Sequence, residues 1–529
     1  MNSPATLSAR YGAAALRQLD EARTRPVLMV LAFALLLAFM VLYYVGGGIV
    51  SIIALFTNLF FIIGALASYG TVLTLPGIAG IVLTMGMAVD ANVIIYERIR
   101  EELRHGKTLG MAVKDGFQQS YSAIIDANVT TLLTALVLSY FGLGPIKGFA
   151  IVLIIGILFT LFTAVLLSRL MVEYWIGKDR PMSFASNWSK NILANVDINW
   201  ISLRKYGYMF SAALILAGAI SFFTRGFELG VDLKGGYSYN IQFAEGTNVD
   251  SDILRKELGD QFGGTPVVKA VDTRNTFNVT TSYLVDDNSE DAPVKVMDKL
   301  FAGVNAISGG NLDETAFKAT SGDGTHIISS SKVGPTIAED IKDSSLYSTM
   351  FALLLIFLYL FIRFNKWQFS LGAVIALLHD VLATLSIFTL FHGILPFSME
   401  VDQAFVAAIL TVIGYSVNDT VIVFDRIREF LGAYTGKTKE DVFNLAINNT
   451  LSRTIITSGT TLLVVLALFL FGGASIKGFA FALLFGVLFG TYSSVFIASA
   501  LVVDLTKERE FKGKETKKKG FSRAASTAK

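Results

Sequence analysis

Gly86 to Leu103 reads GMAVDANVIIYERIREEL, and Gly414 to Leu431 reads GYSVNDTVIVFDRIREFL. Each stretch sets a carboxylate and an amide inside an apolar run and then ends on an Arg-x-Arg-Glu helix terminus, so one pattern is written twice, about 330 residues apart. The repeat extends further: TTLL at Thr130–Leu133 returns at Thr460–Leu463, and IKGFA at Ile146–Ala150 returns at Ile476–Ala480. Two halves derived from one unit, each with an acidic site inside the membrane, are the pattern of a transporter-like machine.

Composition places the chain in the same class. Hydrophobic residues make up 53% of the 529 positions, charged residues only 16%, and 41 are Phe; mean hydropathy is +0.57. These values belong to polytopic membrane proteins. A net charge of +2 gives no field that would attract nucleic acid. The absence of Cys excludes disulfides and thiolate metal sites, and the four His have no metal-binding spacing. No nucleophile–base pair or phosphate loop is legible, so the sequence gives no ground for enzymatic chemistry or for a cofactor.

A bilayer core about 30 Å thick needs roughly 20 apolar residues per helix. Segments near 27–46, 50–70, 73–96, 122–141, 147–172, 206–224, 346–364, 369–391, 402–424, 454–472 and 476–503 qualify. The expected organisation is a stub at 1–26, a first helical half at 27–178, a linker at 179–205, a helix at 206–224 that opens the second half, a hydrophilic insert at 225–345, the remaining second-half helices at 346–505 and a basic tail at 506–529. The first half is then one helix short of the second. Arg98, Arg100, Arg104, Lys107 and Lys114 fall in one loop, Arg426, Arg428, Lys437 and Lys439 in another, and the tail carries Lys517–Lys519. Basic loops stay cytoplasmic, which places the C-terminus inside and residues 225–345 outside. Arg10, Arg17, Arg23 and Arg25 precede the first span on the opposite side and so break this charge rule.

The insert alternates as strands at GGYSYNIQF, PVVKAVDT, TFNVTTS and THIISSS, with helical patterns at Ser251–Phe262 and Ala292–Ala302. That β-α-β-β-α-β order is ferredoxin-like. The fold class is therefore a polytopic α-helical membrane protein with two homologous helical halves and one external α+β ferredoxin-like domain. Gly235 and Gly236 suit a turn entering the first strand.

A carboxylate in hydrocarbon costs about 3 kcal/mol on insertion scales, so it faces a bundle interior or a watery cavity. Asp90 lies seven residues before Glu97, about 11 Å of helix and therefore inside the membrane. Asp419, beside Asn418, occupies the corresponding region of the second half. Asp126 stands in IIDANVTTLL and Arg453 in LSRTIITSGTTLL, where a buried Arg would offset a carboxylate's charge. Asp90 and Asp419 also suit simple helix locking, and Asp126 and Arg453 suit capping or snorkelling. His379 and Asp380 fall mid-span and suit either a proton relay or a lock. Glu97, Arg98, Asp425 and Arg426 read as topology anchors.

LTLPGIAGIVLTMGMAVDANVIIYERIREEL, SAIIDANVTTLL and IKGFA, with FELGVDLKGG, SVNDTVIVFDRIRE and LSRTIITS, closely resemble the SecD/SecF family of protein-export membrane components over roughly residues 40–505. The resemblance implies an accessory of the Sec translocon, related to the resistance-nodulation-division superfamily. Such a protein uses the proton gradient to help unfolded preproteins complete passage across the cytoplasmic (inner) membrane. The implied partners are the translocon channel, its accessory membrane subunits, the preprotein, protons and the lipid bilayer. The implied coupling residues are Asp90, Asp419 and Arg453, with Asn418 and Asp126 beside them. The family's first helix and large external domain have no counterpart before residue 27. A proton-coupled exporter of small molecules or lipids in that superfamily is the alternative, although it would carry two matched external inserts.

Overall fold

The computed structural model describes residues 33–506 apart from 71–73, 143–144, 194–195, 245–246, 248, 273–274, 288, 320–323, 396, 398, 435 and 473. The N-terminal stub, the first residues of the 27–46 segment and the basic tail from Lys507 lie outside these. Ten helices among the described residues are long and apolar enough to cross a membrane, and a shorter one precedes them; the chain is a multi-pass membrane protein. The first half comprises α1 (Phe33–Tyr44), α2 (Gly46–Tyr69), α3 (Leu75–Arg104), α4 (Leu109–Phe141) and α5 (Ile146–Ile176). The second comprises α6 (Arg204–Arg225) and, after the insert, five further long helices.

The insert folds as β1 (Gly236–Gln242), α7 (Ser251–Phe262), β2 (Val267–Asp272), β3 (Thr276–Thr281), α8 (Ala292–Ile307) and β4 (His326–Val333). Its antiparallel sheet has the order β2-β3-β1-β4, with Tyr239 opposite both Val279 and Ser330. Tyr237, Tyr239, Ile241, Phe277 and Val279 bury one face under Leu254 and Leu258 of α7 and Val296, Leu300 and Val304 of α8. This is the expected ferredoxin-like arrangement. Gly235 and Gly236 take φ of 79° and 153°, and a Cβ on Gly236 would sit 2.7 Å from the Thr281 carbonyl oxygen.

From the insert the chain re-enters the helical region through α9 (Pro335–Phe364), followed by α10 (Trp367–Phe391), α11 (Gln403–Ala433), α12 (Lys439–Phe471) and α13 (Ile476–Leu505). Several helices outrun hydropathy. The Arg-x-Arg-Glu ends do not lie in loops: Arg98, Arg100 and Arg104 are on α3, Lys114 is on α4, and Arg426 and Arg428 are on α11. At 1.5 Å per residue the 33 residues of α4 span about 50 Å, well beyond a 30 Å hydrocarbon layer. Backbone hydrogen bonds continue beyond the hydrocarbon because the charged side chains there pair with one another along and between helices.

The rings of Phe33 and Phe56 lie 6.4 Å apart, whereas a straight helix would separate those residues by about 34 Å. The chain therefore doubles back at Val45, whose φ is 53°. Gly48 permits the reversal, since a Cβ there would meet the Met40 carbonyl oxygen at 2.1 Å.

The halves interleave. Helix α3 packs on α4 and α5 of its own half and on α12 of the other, while α11 packs on α12 and α13 and on α4. α11 is 94% enclosed over its apolar window and α6 only 17%, so α11 is a central helix and α6 a peripheral one. Both final helices contain a π-helical segment, Leu161–Leu167 in α5 and Ser494–Ser499 in α13. Beside the start of α9, the inserted domain is also tied to the helical region by a parallel bridge between Leu229 and Val401. Val401 N donates to the Glu228 carbonyl at 2.7 Å, and Gly230 N donates to the Val401 carbonyl at 2.9 Å. The next residue, Asp402, caps α11 by accepting from Phe405 N at 2.8 Å.

Candidate proton-coupling site

Aligning Gly86 with Gly414 places Asp90 over Asn418 and Ala91 over Asp419. Those two glycines are the points where the halves approach. Gly86 faces Thr461 and Gly414 faces Thr131, members of the two TTLL repeats, and Thr131 Oγ1 donates to the Gly414 carbonyl at 3.3 Å. With α3 and α11 brought together in this way, the equivalent residues of the two halves meet: Asn418 Nδ2 donates to Asp90 Oδ2 at 2.9 Å.

Asp419 turns the other way. Its Oδ2 accepts from Ser458 Oγ of α12 and Thr491 Oγ1 of α13, both at 3.0 Å, and Thr491 also donates to Ser458 at 2.6 Å. Asp90 is 3% exposed and Asp419 1%. Each keeps its Oδ1 without a hydrogen-bond partner among the described residues. Asp90, Asn418, Tyr415 and Thr131 line a cavity of about 20 Å³, room for about one water. A carboxylate with one bonded and one unbonded oxygen in such a place can accept a proton without breaking an existing bond.

Arg453 stands on α12, half-buried, with Nε and Nη2 unpartnered among the described residues. It makes no hydrogen bond to either carboxylate, although both are within electrostatic reach. Instead it lines a cavity of about 420 Å³ between α3, α4, α11 and α12. The charged lining is balanced, with Glu97, Glu101, Asp425 and Glu429 against Arg98, Arg104, Arg426 and Arg453. An uncommitted guanidinium between buried carboxylates and a charged vestibule can change partners when a carboxylate changes charge.

The residues read as topology anchors do more than anchor. Arg426 donates to Glu101 of the opposite half and to Asn449, and Arg98 lies 3.7 Å from Glu429 across the same junction. Asp126 is elsewhere and already paired. It accepts from Arg363 Nε at 2.7 Å and from the Tyr359 hydroxyl at 2.6 Å, while Arg363 Nη2 also reaches Asp425 at 3.0 Å.

Of the residues singled out in the sequence, Asp90, Asn418 and Asp419 converge, Arg453 stands beside them, and Asp126 ties α4 to α9. Sequence reasoning missed Ser458 and Thr491, which hold Asp419. Hydroxyls inside apolar spans were the available signal, but many serines and threonines there bond only their own helix. Among the described residues no cluster of three or more His, Asp or Glu could hold a metal ion.

The family model for the C-terminal region of the protein export membrane protein SecD/SecF matches residues 17–178 and 313–508. That for the SecD/SecF GG motif matches 220–246, which includes the Leu229 bridge and the turn at Gly235 and Gly236. The chain belongs to the SecD/SecF family. Protein translocase subunit SecF of Rhodothermus marinus is 45% identical over 59% of this chain and 95% of that protein. SecDF of Brucella abortus is 35% identical over 93% of this chain and 62% of its own length, and SecDF of Bacillus subtilis 33% identical over 92% and 64%. The chain thus spans less than two thirds of these SecDF relatives. The crystal structure of Thermus thermophilus SecDF, described as a translocon-associated membrane protein, superposes with a TM-score of 0.78 at 32% identity, covering 92% of this chain and 62% of that one.

Proposed function

We propose that this SecD/SecF family member is a non-enzymatic, proton-driven accessory of the Sec translocon, promoting preprotein translocation across the cytoplasmic membrane and release outside. The observation that carries the reading is the Asn418–Asp90 contact beside Asp419. Two buried carboxylates, each with a free oxygen, sit where the halves touch, so a change of charge there alters the contact on which their relative packing depends. Desolvation and neighbouring charge govern whether such a group holds its proton. A gradient of 100 mV is worth about 2.3 kcal/mol per charge, enough to bias a two-state packing, provided the two states differ in proton affinity.

The route outward is short. α11 carries Asn418 and Asp419, and its N-terminal cap adjoins the Leu229–Val401 bridge at the root of the external domain. A shift of α11 therefore moves the domain root, which faces the emerging preprotein on the outer side while the charged vestibule around Arg453 opens towards the cytoplasm.

The test is gradient-dependent completion of preprotein export in cells lacking their own SecD and SecF. The chain is compared with Asp90→Asn, Asp419→Asn and Arg453→Met at equal abundance. We expect each variant to lose the gradient-dependent component. Retention of that component by Asp419→Asn would refute the reading.

A further inference from the structure

A third carboxylate lies in the core of the second half. Asp380 on α10 is 0% exposed. Its Oδ2 accepts from Ser416 Oγ of α11 at 2.6 Å and from Ser493 Oγ of α13 at 2.8 Å, and its Oδ1 faces His379 Nδ1 at 3.0 Å. His379 is 6% exposed, with Nε2 unpartnered among the described residues. The other groups around the pair are Asp419 on α11, which lies within electrostatic reach of Asp380, Tyr492 of α13, whose ring lies 5.9 Å from the imidazole, and Ser211 of α6, bonded to the Tyr492 hydroxyl.

The first half supplies the comparison that decides what this carboxylate is for. Aligning Ile146 with Ile476 places Thr163 over Ser493. The residue of the first half that meets Thr163 is Asn58, 0% exposed, with Nδ2 3.1 Å from Thr160 Oγ1 and 3.3 Å from Thr163 Oγ1. The same helix junction is thus locked in the first half by a neutral amide and in the second by an acid beside a base. Locking requires only the amide.

We infer that His379 and Asp380 form a second proton-binding site, resting on the proton-coupled reading above and adding to it a residue pair on α10. An ionised Asp380 beside a neutral imidazole would leave a net charge in a fully enclosed site, at an effective penalty of several kcal/mol. A neutral acid with neutral imidazole, or a carboxylate with imidazolium, has no net charge, and each holds one proton more. Loading and unloading that proton is communicated to Asp419 by the two segments that hold both acids. Ser416 lies one turn from Asp419 on α11, and Ser493 lies two residues from Thr491 on α13, immediately before the π-helical segment.

The test uses the full chain in lipid bilayers. Asp380→Asn installs the group that the first half already uses, so it should keep the thermal midpoint of the unmodified protein. Titration between acid and alkaline buffer should then count one bound proton fewer, and the pH profile of gradient-driven export should be displaced. His379→Gln, which retains an amide on α10, should also alter the titration curve and serves if Asp380→Asn fails to fold. A titration curve and pH profile that superpose on those of the unmodified protein overturn the inference and leave Asp380 a lock like Asn58. If Asp419→Asn keeps gradient-dependent export, the wider reading fails; if it loses it while Asp380→Asn titrates normally, only this inference fails.

Discussion

Asn418 and Asp90 occupy the same place in the two copies of one motif, and they hydrogen-bond to each other at 2.9 Å. Such a contact arises only close to the axis that relates the halves. The duplicated asparagine and aspartate have diverged so that one donates and the other accepts, and two identical carboxylates there would have repelled.

Asn418→Ala removes the amide that donates to Asp90 and leaves a buried carboxylate with less support. Hydrogen bonds to charged groups contribute about 1.5–3 kcal/mol, so the thermal midpoint in detergent should fall by several degrees, more at alkaline pH than at acid pH. Protonating the carboxyl lessens its need for a donor, which fixes that sign. An equal fall at both pH values would show that Asn418 acts by packing alone.

Gly414→Ala and Gly86→Ala test the approach of the halves at equivalent positions with unequal room. A Cβ on Gly414 would lie 2.7 Å from Thr134 Oγ1 and 3.2 Å from Thr131 Cα, whereas the nearest atom to one on Gly86 is 3.8 Å away. Overpacking costs about 1–3 kcal/mol, so Gly414→Ala should be destabilised by that order and Gly86→Ala by far less. The comparison is of unfolding midpoints, and equal losses would contradict the asymmetry.

Gly230→Ala addresses the root of the external domain. Its Cβ would sit 2.7 Å from Asp402 Cβ, so the Leu229–Val401 bridge must open. Amide hydrogen exchange at Val401 should rise, and export should weaken while the chain remains folded. Unchanged exchange would mean that the bridge accommodates the methyl group.

Much of this was legible in the sequence because it depends on local periodicity. The strands of the insert and both of its main helices fall within a few residues of the stretches that alternate or repeat with helical spacing. Hydropathy found ten of the eleven expected spans, the described part of the 27–46 segment being only the short helix Phe33–Tyr44, and it did not find their ends, because the residues from Glu97 to Arg104 are too polar for a membrane helix and are nevertheless held helical by ion pairs along α3 and with α11. The same limitation turned Arg98 and Arg426 into anchors, when each also pairs across the junction of the halves.

The sequence by itself determined the duplication, the membrane-spanning class, the ferredoxin-like order of the insert and the candidacy of Asp90, Asn418, Asp419 and Arg453, since all of these are carried by residue type and spacing along one chain. Only the tertiary structure decided that Asp90 meets Asn418, that Asp419 is held by Ser458 and Thr491, that Asp126 is committed to Arg363 and that Asp380 stands where Asn58 does. Those pairings join residues as many as 328 positions apart. They are set by which faces of α3, α4, α11, α12 and α13 come together, and glycine and threonine contacts between the helices fix that choice without leaving a distinctive trace in any single segment.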